Sequence, residues 1–204
     1  IMTVEEPCEL FIPFLDAYHG RAFTYRHWPA NGRGAVSAPV FAFLYHPYLL
    51  GYAGWTGGGF DLENNVELSI GRAFVFGMLV GVRSMVWTRT FKADGSPTAF
   101  EMWRNAVRLQ RRCQDALLLG DMAPPPELRG GTTRNVGAPG QAESGPRPLI
   151  AVESVQATTW VTDSGETWYA LANVTPDPAT IEVRVRPVGS RKEGPFTVTL
   201  VTPG

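Results

Sequence analysis

The sequence predicts an α/β region followed by an all-β region, and three observations support this. Strand-like and helix-like patterns alternate before residue 120, Pro and Gly concentrate at residues 121–148, and short β-prone runs follow. Alternating strands and helices are typical of parallel sheets, whereas short, regularly spaced strands are typical of antiparallel sandwiches. We therefore expect an α/β region at residues 1–120, a linker at residues 121–148 and a small β-sandwich at residues 149–204.

The α/β region contains three predicted strands. Residues 2–5 and residues 83–88 are short β-prone runs. Residues 38–45 form a compact apolar run without polar alternation, which is the pattern of a strand covered on both faces. The sequence therefore predicts three parallel strands in this region.

Two helices are predicted between and after these strands. Residues 66–80 place apolar side chains at helical spacing, and Gly81 follows where a helix could end. Residues 96–119 begin with Ser96 as a helix cap and Pro97 at the first helical position, and they carry one apolar face. Several arginines occupy the opposite face of this second helix.

Repeated strand-helix units form either an open doubly wound sheet or a (β/α)8 barrel. A complete barrel takes about 250 residues, whereas the first region has 120. We therefore expect the C-terminal units of a (β/α)8 (TIM) barrel. The missing N-terminal half of that barrel is a predicted partner.

The all-β region contains five short runs rich in Val, Thr, Ile and aromatic residues. They lie at residues 149–154, 157–162, 167–173, 180–186 and 196–201. The Asp163-Ser164-Gly165 sequence predicts a hairpin turn that sets Trp160 beside Trp168. We interpret this tryptophan pair as packing and not as a platform for sugars.

Composition excludes several classes of function. Lys plus Arg number 18 against 19 for Asp plus Glu, so no strongly basic field favours nucleic acid. No run approaches the roughly 20 apolar residues of a membrane helix, so we expect no membrane partner. Cys8 and Cys113 lie far apart and lack metal-site spacing, which indicates buried thiols, no metal and no cofactor.

The N-terminal segment carries acids where a signal peptide has basic residues, and it opens on Ile1. We expect a processed product or a fragment of a longer protein. The location of the protein stays open, with a secreted or periplasmic site among the alternatives.

In a parallel α/β fold, the residues that follow the carboxyl ends of strands face the reaction centre. Glycoside cleavage uses two carboxylates, one of which protonates the leaving oxygen. Glu5 is the predicted general acid/base, and Glu9 is the second catalytic-site acid, which orients Glu5 or bonds substrate. Aromatic rings stack on sugars, and polar side chains bond hydroxyls. The predicted substrate-binding residues are Asp16, Tyr45, His46, Tyr48, Trp87 and Arg89.

Three stretches of the sequence resemble a bacterial family of glycosidase-like (β/α)8-barrel proteins. They are TVEEPCELFIPFLDAY (residues 3–18), PVFAFLYHPY (residues 39–48) and LLLGDMAPPPEL (residues 117–128). The resemblance is to the C-terminal part of the barrel and the β-sandwich that follows it. It implies that Glu5, Glu9 and Asp16 are acidic site residues. The family has Gly directly after the first acid, where this chain has Glu6.

The predicted function is therefore a glycoside hydrolase, or a C-terminal fragment of one, acting on an oligosaccharide or glycoside. The first alternative is a non-catalytic carbohydrate-binding or interaction module, in which aromatic residues form a platform and the acids are structural. The second is a truncated product that folds only with a partner chain, because a partial barrel exposes an apolar face.

Overall fold

A computed structural model describes residues 2–4, 9–19, 40–53, 66–80, 97–137, 149–175, 177–185, 188, 199 and 200. Within these residues the fold is mixed α/β, with one parallel sheet and three antiparallel sheets. The alternation of strand and helix before residue 120 and the change to antiparallel strands after it agree with the predicted fold class at this level.

The parallel sheet has four short strands in the order in which they occur in the chain. They are β1 (Thr3–Val4), β2 (Ala17–His19), β3 (Leu50–Ala53) and β4 (Leu79–Val80). A 3-10 helix, Glu9–Phe14, lies between the first two. In the described part of the chain β1 pairs only with β2, and β4 pairs only with β3, so this sheet does not close on itself.

The strand prediction for residues 38–45 is wrong, because helix α1 occupies Val40–Tyr45. A short apolar run cannot be distinguished from a helical segment by periodicity alone. As a helix, this run buries Ala42 completely and leaves Phe43 and Leu44 46% and 50% exposed. The run is therefore covered on one side only, and the next strand of the sheet is β3.

The helix predicted over residues 66–80 is confirmed as α2, Val66–Val75, but it ends earlier than expected. Gly77 has a φ of 66°, which only glycine adopts readily. Its amide donates to Phe74 O, and the amide of Met78 donates to Ala73 O. These are the two bonds of a Schellman motif, so Gly77 and not Gly81 terminates the helix. The strand predicted at residues 83–88 lies outside the described residues.

The second predicted helix is confirmed as α3, Pro97–Arg112, and a short helix α4, Gln114–Leu117, continues it. The inner face of α3 buries Ala106 and Gln110, and the free thiol of Cys113, between α3 and α4, is buried as well. Burial raises the pKa of Cys113, and the charge of Arg112 opposes that shift. The arginines of α3 lie on the exposed face, as the apolar pattern predicts. Cys8 lies outside the described residues.

Among the described residues, seven strands follow α4. They are β5 (Asp121–Ala123), β6 (Glu127–Arg129), β7 (Thr133–Gly137), β8 (Leu149–Glu153), β9 (Val155–Val161), β10 (Thr167–Asn173) and β11 (Glu182–Arg184). The first three lie in the predicted linker, and each pairs with a later strand: β5 with β9, β6 with β11 and β7 with β8. Prolines between β5 and β6 keep these strands short. The described half of this segment is therefore built into the antiparallel sheets.

The hairpin predicted around residues 163–165 is confirmed, since β9 and β10 pair with Trp160 opposite Trp168. Trp160 is fully buried and belongs to a core shared with residues of α2, α4 and β5, among them Val75, Leu117 and Met122. The predicted α/β and all-β regions thus share one hydrophobic core. Of the strand predicted at residues 196–201, only residues 199 and 200 are described, and neither is in a strand.

Candidate functional site

The carboxyl ends of the four parallel strands meet at one edge of their sheet, which we call the carboxyl edge. The strands end there at Val4, His19, Ala53 and Val80. Active sites of parallel α/β folds form at this edge, from the segments that follow the strands. Those segments are residues 5–8, 20–39, 54–65 and 81–96, and all of them lie outside the described residues.

Three of the predicted site residues belong to these segments. Glu5 comes directly after Val4 in the chain, and Trp87 and Arg89 belong to the segment that follows Val80. All three lie outside the described residues. Glu9 begins the 3-10 helix after β1, and the position of its side chain is not among the described features. In the sequence, these four residues follow the ends of β1 and β4, and their role at the carboxyl edge stays a prediction.

The remaining four predicted site residues are on the opposite side of the strands. Asp16 precedes β2, and its carboxylate accepts a hydrogen bond of 2.7 Å from the amide of Met2, which precedes β1. Tyr45, His46 and Tyr48 precede β3. The pattern of residues 38–45 predicts that these three residues lie at the end of a strand, and this prediction is wrong because the run is helix α1. All four residues thus lie at the amino-terminal edge of the sheet, which in such folds serves stability more often than catalysis. Tyr48 is 72% exposed there.

His46 is part of the hydrophobic core. Its side chain is only 6% exposed, and its ring lies 4.6 Å from the ring of Trp160 at an angle of 56°. Its Nε2 lies 3.4 Å from the carbonyl oxygen of Gly77. Because a carbonyl only accepts, Nε2 carries the proton and Nδ1 is the bare acceptor. This burial does not favour the substrate-binding role predicted for His46 and fits a core histidine bonded to backbone.

The environment of His46 favours the neutral ring. Burial lowers the pKa of His46 below its ordinary value of 6.5, and the backbone of Gly77, Leu117 and Gly120 and the charge of Asp121 oppose that shift. Nδ1 is buried and has no hydrogen-bond partner among the described residues. Because burial disfavours the charged ring, protonation of His46 is linked to unfolding.

We expect the free energy of unfolding to fall as the pH drops below about 6.5, the ordinary pKa of histidine. Between the ordinary pKa and the lowered pKa of the folded protein, the unfolded chain binds a proton at His46 that the folded protein does not. The contribution of His46 to the free energy of unfolding is therefore full above pH about 6.5 and decreases as the pH falls towards the lowered pKa. The loss approaches at most about 1.4 kcal/mol per pH unit. Urea unfolding at pH 8, 6.5 and 5.5 measures it.

The matched control is His46→Gln, whose amide can still donate a hydrogen bond but does not titrate. The difference in stability between wild type and His46→Gln should shrink as the pH falls. A difference that stays constant across the three pH values would contradict the buried, neutral assignment.

Strand β4 is held by side chains of α3 near the carboxyl edge. The indole of Trp103 donates to Val80 O at 3.2 Å, and Gln110 donates to Met78 O at 2.5 Å. The side-chain oxygen of Gln110 also accepts the amide of Val80 at 3.5 Å. Trp103 and Gln110 therefore attach β4 to α3, and the sequence alone does not identify these contacts. The one sign of these contacts in the sequence is the amide side chain of Gln110 on an otherwise apolar helix face.

The side chain of Tyr18, on β2, is buried and only 2% exposed. It lies opposite Gly51 in the register, and a Cβ added to Gly51 would lie 2.9 Å from Tyr18 Oη. Burial raises the pKa of Tyr18 to about 12, so the phenol stays neutral. Tyr18 therefore fills the space above Gly51 and does not act as a base.

Within the described ranges no group of three His, Cys, Asp or Glu side chains is placed to hold a metal ion. The helices of the same ranges are each too short or too polar to cross a bilayer. Comparisons of the chain with protein-family models, curated proteins and solved structures found no match. The fold and the residues that follow the parallel strands in the sequence are therefore the basis for a proposed function.

Proposed function

We propose that this chain is the C-terminal part of a carbohydrate-active glycoside hydrolase with a (β/α)8 barrel. The observation that carries this proposal is the order β1-β2-β3-β4 of the parallel sheet. Doubly wound sheets reverse their strand order at a switch point, whereas barrels add each new strand beside the last. The described order contains no reversal, which favours barrel units.

In this proposal the four described strands supply half of an eight-stranded barrel. The two outer strands, β1 and β4, each have a free side within the described residues. The remaining strands belong to the N-terminal half of the barrel, which we propose as the partner of this region. In the same proposal, β8 to β11 belong to the trailing β-sandwich predicted at residues 149–204, and β5, β6 and β7 pair with these strands.

The proposed reaction is hydrolysis of a glycosidic bond. Glu5, which follows β1, is the general acid that protonates the leaving oxygen. A second carboxylate from the other half of the barrel is the nucleophile or the general base. If the second carboxylate is the nucleophile, Glu5 then acts as the base that activates water; if the second carboxylate is the general base, that group activates water itself. Glu9 orients Glu5 or bonds substrate, and Trp87 and Arg89, after β4, bind the sugar.

Substitution of Glu5 by Gln in the natural polypeptide that carries this chain tests the proposal. We expect wild type to hydrolyse at least one glycoside of a panel of aryl glycosides and oligosaccharides. Glu5→Gln should reduce kcat by about 100-fold or more, because positioned acid-base catalysis contributes about 10²–10⁴-fold. Far-UV circular dichroism and thermal unfolding establish that the variant is folded.

Two results would contradict the proposal. Full activity of a folded Glu5→Gln variant would remove Glu5 from the mechanism. Binding of glycans without hydrolysis of any of them by wild type would favour the non-catalytic carbohydrate-binding alternative.

A further inference from the structure

A groove of about 300 Å³ is lined by residues of which none belongs to the four parallel strands. It is formed by α2, α3, the end of β10 and the residue Thr175 that follows. The apolar lining comes from Phe74, Met102, Ala106, Leu109, Leu171 and Ala172. Of these, Leu171 remains 37% exposed although it is a large apolar side chain. The groove is thus an apolar surface that stays open to solvent.

The polar lining of the groove has one sign of charge. Glu67 on α2 and Glu101 on α3 contribute carboxylates, Asn105, Asn173 and Thr175 contribute neutral groups, and no Lys or Arg is among the described lining residues. Glu101 lies 3.7 Å from Arg104 on the exposed side of α3. Glu67 is half-buried and forms no ion pair with any residue that the structure describes.

The neutral groups near the end of β10 are already engaged with each other. Asn173 donates to Asp177 O at 2.7 Å, and its side-chain oxygen accepts the amide and hydroxyl of Thr175 at 3.1 and 2.7 Å. Few of their hydrogen-bonding positions remain for a sugar hydroxyl. The carboxylate of Glu67 is the strongest acceptor that the groove offers to a ligand.

We propose that this groove binds a small organic cation that joins an ammonium group to an apolar body. The apolar body lies on Met102, Leu109 and Leu171, and the ammonium donates to the carboxylate of Glu67. Ligand pockets begin at about 300 Å³, so the groove suits a ligand of about ten non-hydrogen atoms. Charged hydrogen bonds are about twice as strong as neutral ones, which makes the cation the preferred form.

The test titrates 2-phenylethylammonium into the ¹⁵N-labelled chain and follows the amide signals. We expect shifts at Asn105, Leu171 and Asn173, with saturation in the millimolar range or below. Neutral 2-phenylethanol should bind at least tenfold more weakly, and phenylacetate should leave these signals unchanged. Glu67→Gln should weaken binding of the amine about tenfold and abolish the preference for it over the alcohol.

Glu182→Gln is the matched control, because Glu182 is an exposed acid on β11 outside the groove lining and its loss changes the net charge equally. It should leave the affinity unchanged. If Glu67→Gln does not fold, Glu101→Gln takes its place and should weaken binding in the same direction. Three outcomes would overturn the proposal. The amine and the alcohol could bind equally well, methyl glucoside could shift the amide signals in place of the amine, or the amine could shift no amide signal at the groove.

Discussion

Replacement of Trp160 by alanine is expected to lower the free energy of unfolding by about 3–5 kcal/mol. Trp160 is fully buried at the centre of the shared core. Its indole donates a hydrogen bond of 3.0 Å to the carbonyl oxygen of Val75 on α2. The substitution leaves a large cavity and a buried carbonyl without its donor, and both changes destabilise the folded state.

Trp168→Ala is the matched control, since Trp168 faces Trp160 across the hairpin but is only partly buried. Its indole lies at the exposed side, 3.4 Å from a carboxylate oxygen of Glu166. We expect a loss of about 1–2 kcal/mol from the smaller apolar area. Urea unfolding measures both variants, and equal losses would contradict the central position of Trp160.

Replacement of Gly77 by alanine is expected to cost about 2–5 kcal/mol, from backbone strain and overpacking together. Gly77 has a φ of 66° at the end of α2. An added Cβ would lie 2.6 Å from both His46 Nε2 and Trp160 Cη2, and it would also meet the carbonyl oxygen of Leu117. Since the last of these is backbone, no side-chain rotation relieves the clash.

Gly165→Ala separates backbone strain from overpacking as causes of the lost stability. Gly165 has a comparable φ of 81°, but a Cβ added there has no atom within 4 Å. Its loss of stability should therefore be limited to backbone strain, about 1–2 kcal/mol. A loss in Gly77→Ala no larger than that in Gly165→Ala, measured by the same urea titration, would show that the space around Gly77 is not tightly filled.

Elements with a clear local pattern could be predicted from the sequence. Helix α3 carries its start signal at Pro97 and one apolar face, and the structure has it at Pro97–Arg112. The β9–β10 hairpin was predicted from two β-prone runs joined by a turn sequence with Gly165. In both cases the side chains that specify the element are its neighbours in the chain, so no tertiary information is needed.

Elements that depend on distant partners could not be predicted. The apolar run at Val40–Tyr45 fits a strand or a buried helix equally, and its packing decides for the helix. Strands β5, β6 and β7 are too short to show a period, and each exists because a later strand pairs with it. The Pro- and Gly-rich composition of residues 121–148 predicts a linker, whereas pairing with later strands makes β5, β6 and β7 part of the antiparallel sheets.

The candidate site divides in the same way. Glu5 directly follows the predicted strand that the structure has at Thr3–Val4, but it lies outside the described residues, so its placement at the carboxyl edge stays a prediction. The placement of Tyr45, His46 and Tyr48 depended on the strand that is in fact α1, and the error moved all three to the amino-terminal side of β3. A shift of one element thus changed which edge of the sheet these residues belong to.

The proposal that the active site lies at the carboxyl edge is tested most directly by comparing Glu5→Gln with Asp16→Asn in one hydrolysis assay on the natural polypeptide. Each substitution removes one negative charge, but Glu5 follows β1 whereas Asp16 precedes β2 and bonds the amide of Met2. The proposal predicts that Glu5→Gln loses about 100-fold or more in kcat, while Asp16→Asn keeps kcat within about twofold. Loss of activity in Asp16→Asn with full activity in Glu5→Gln would contradict it.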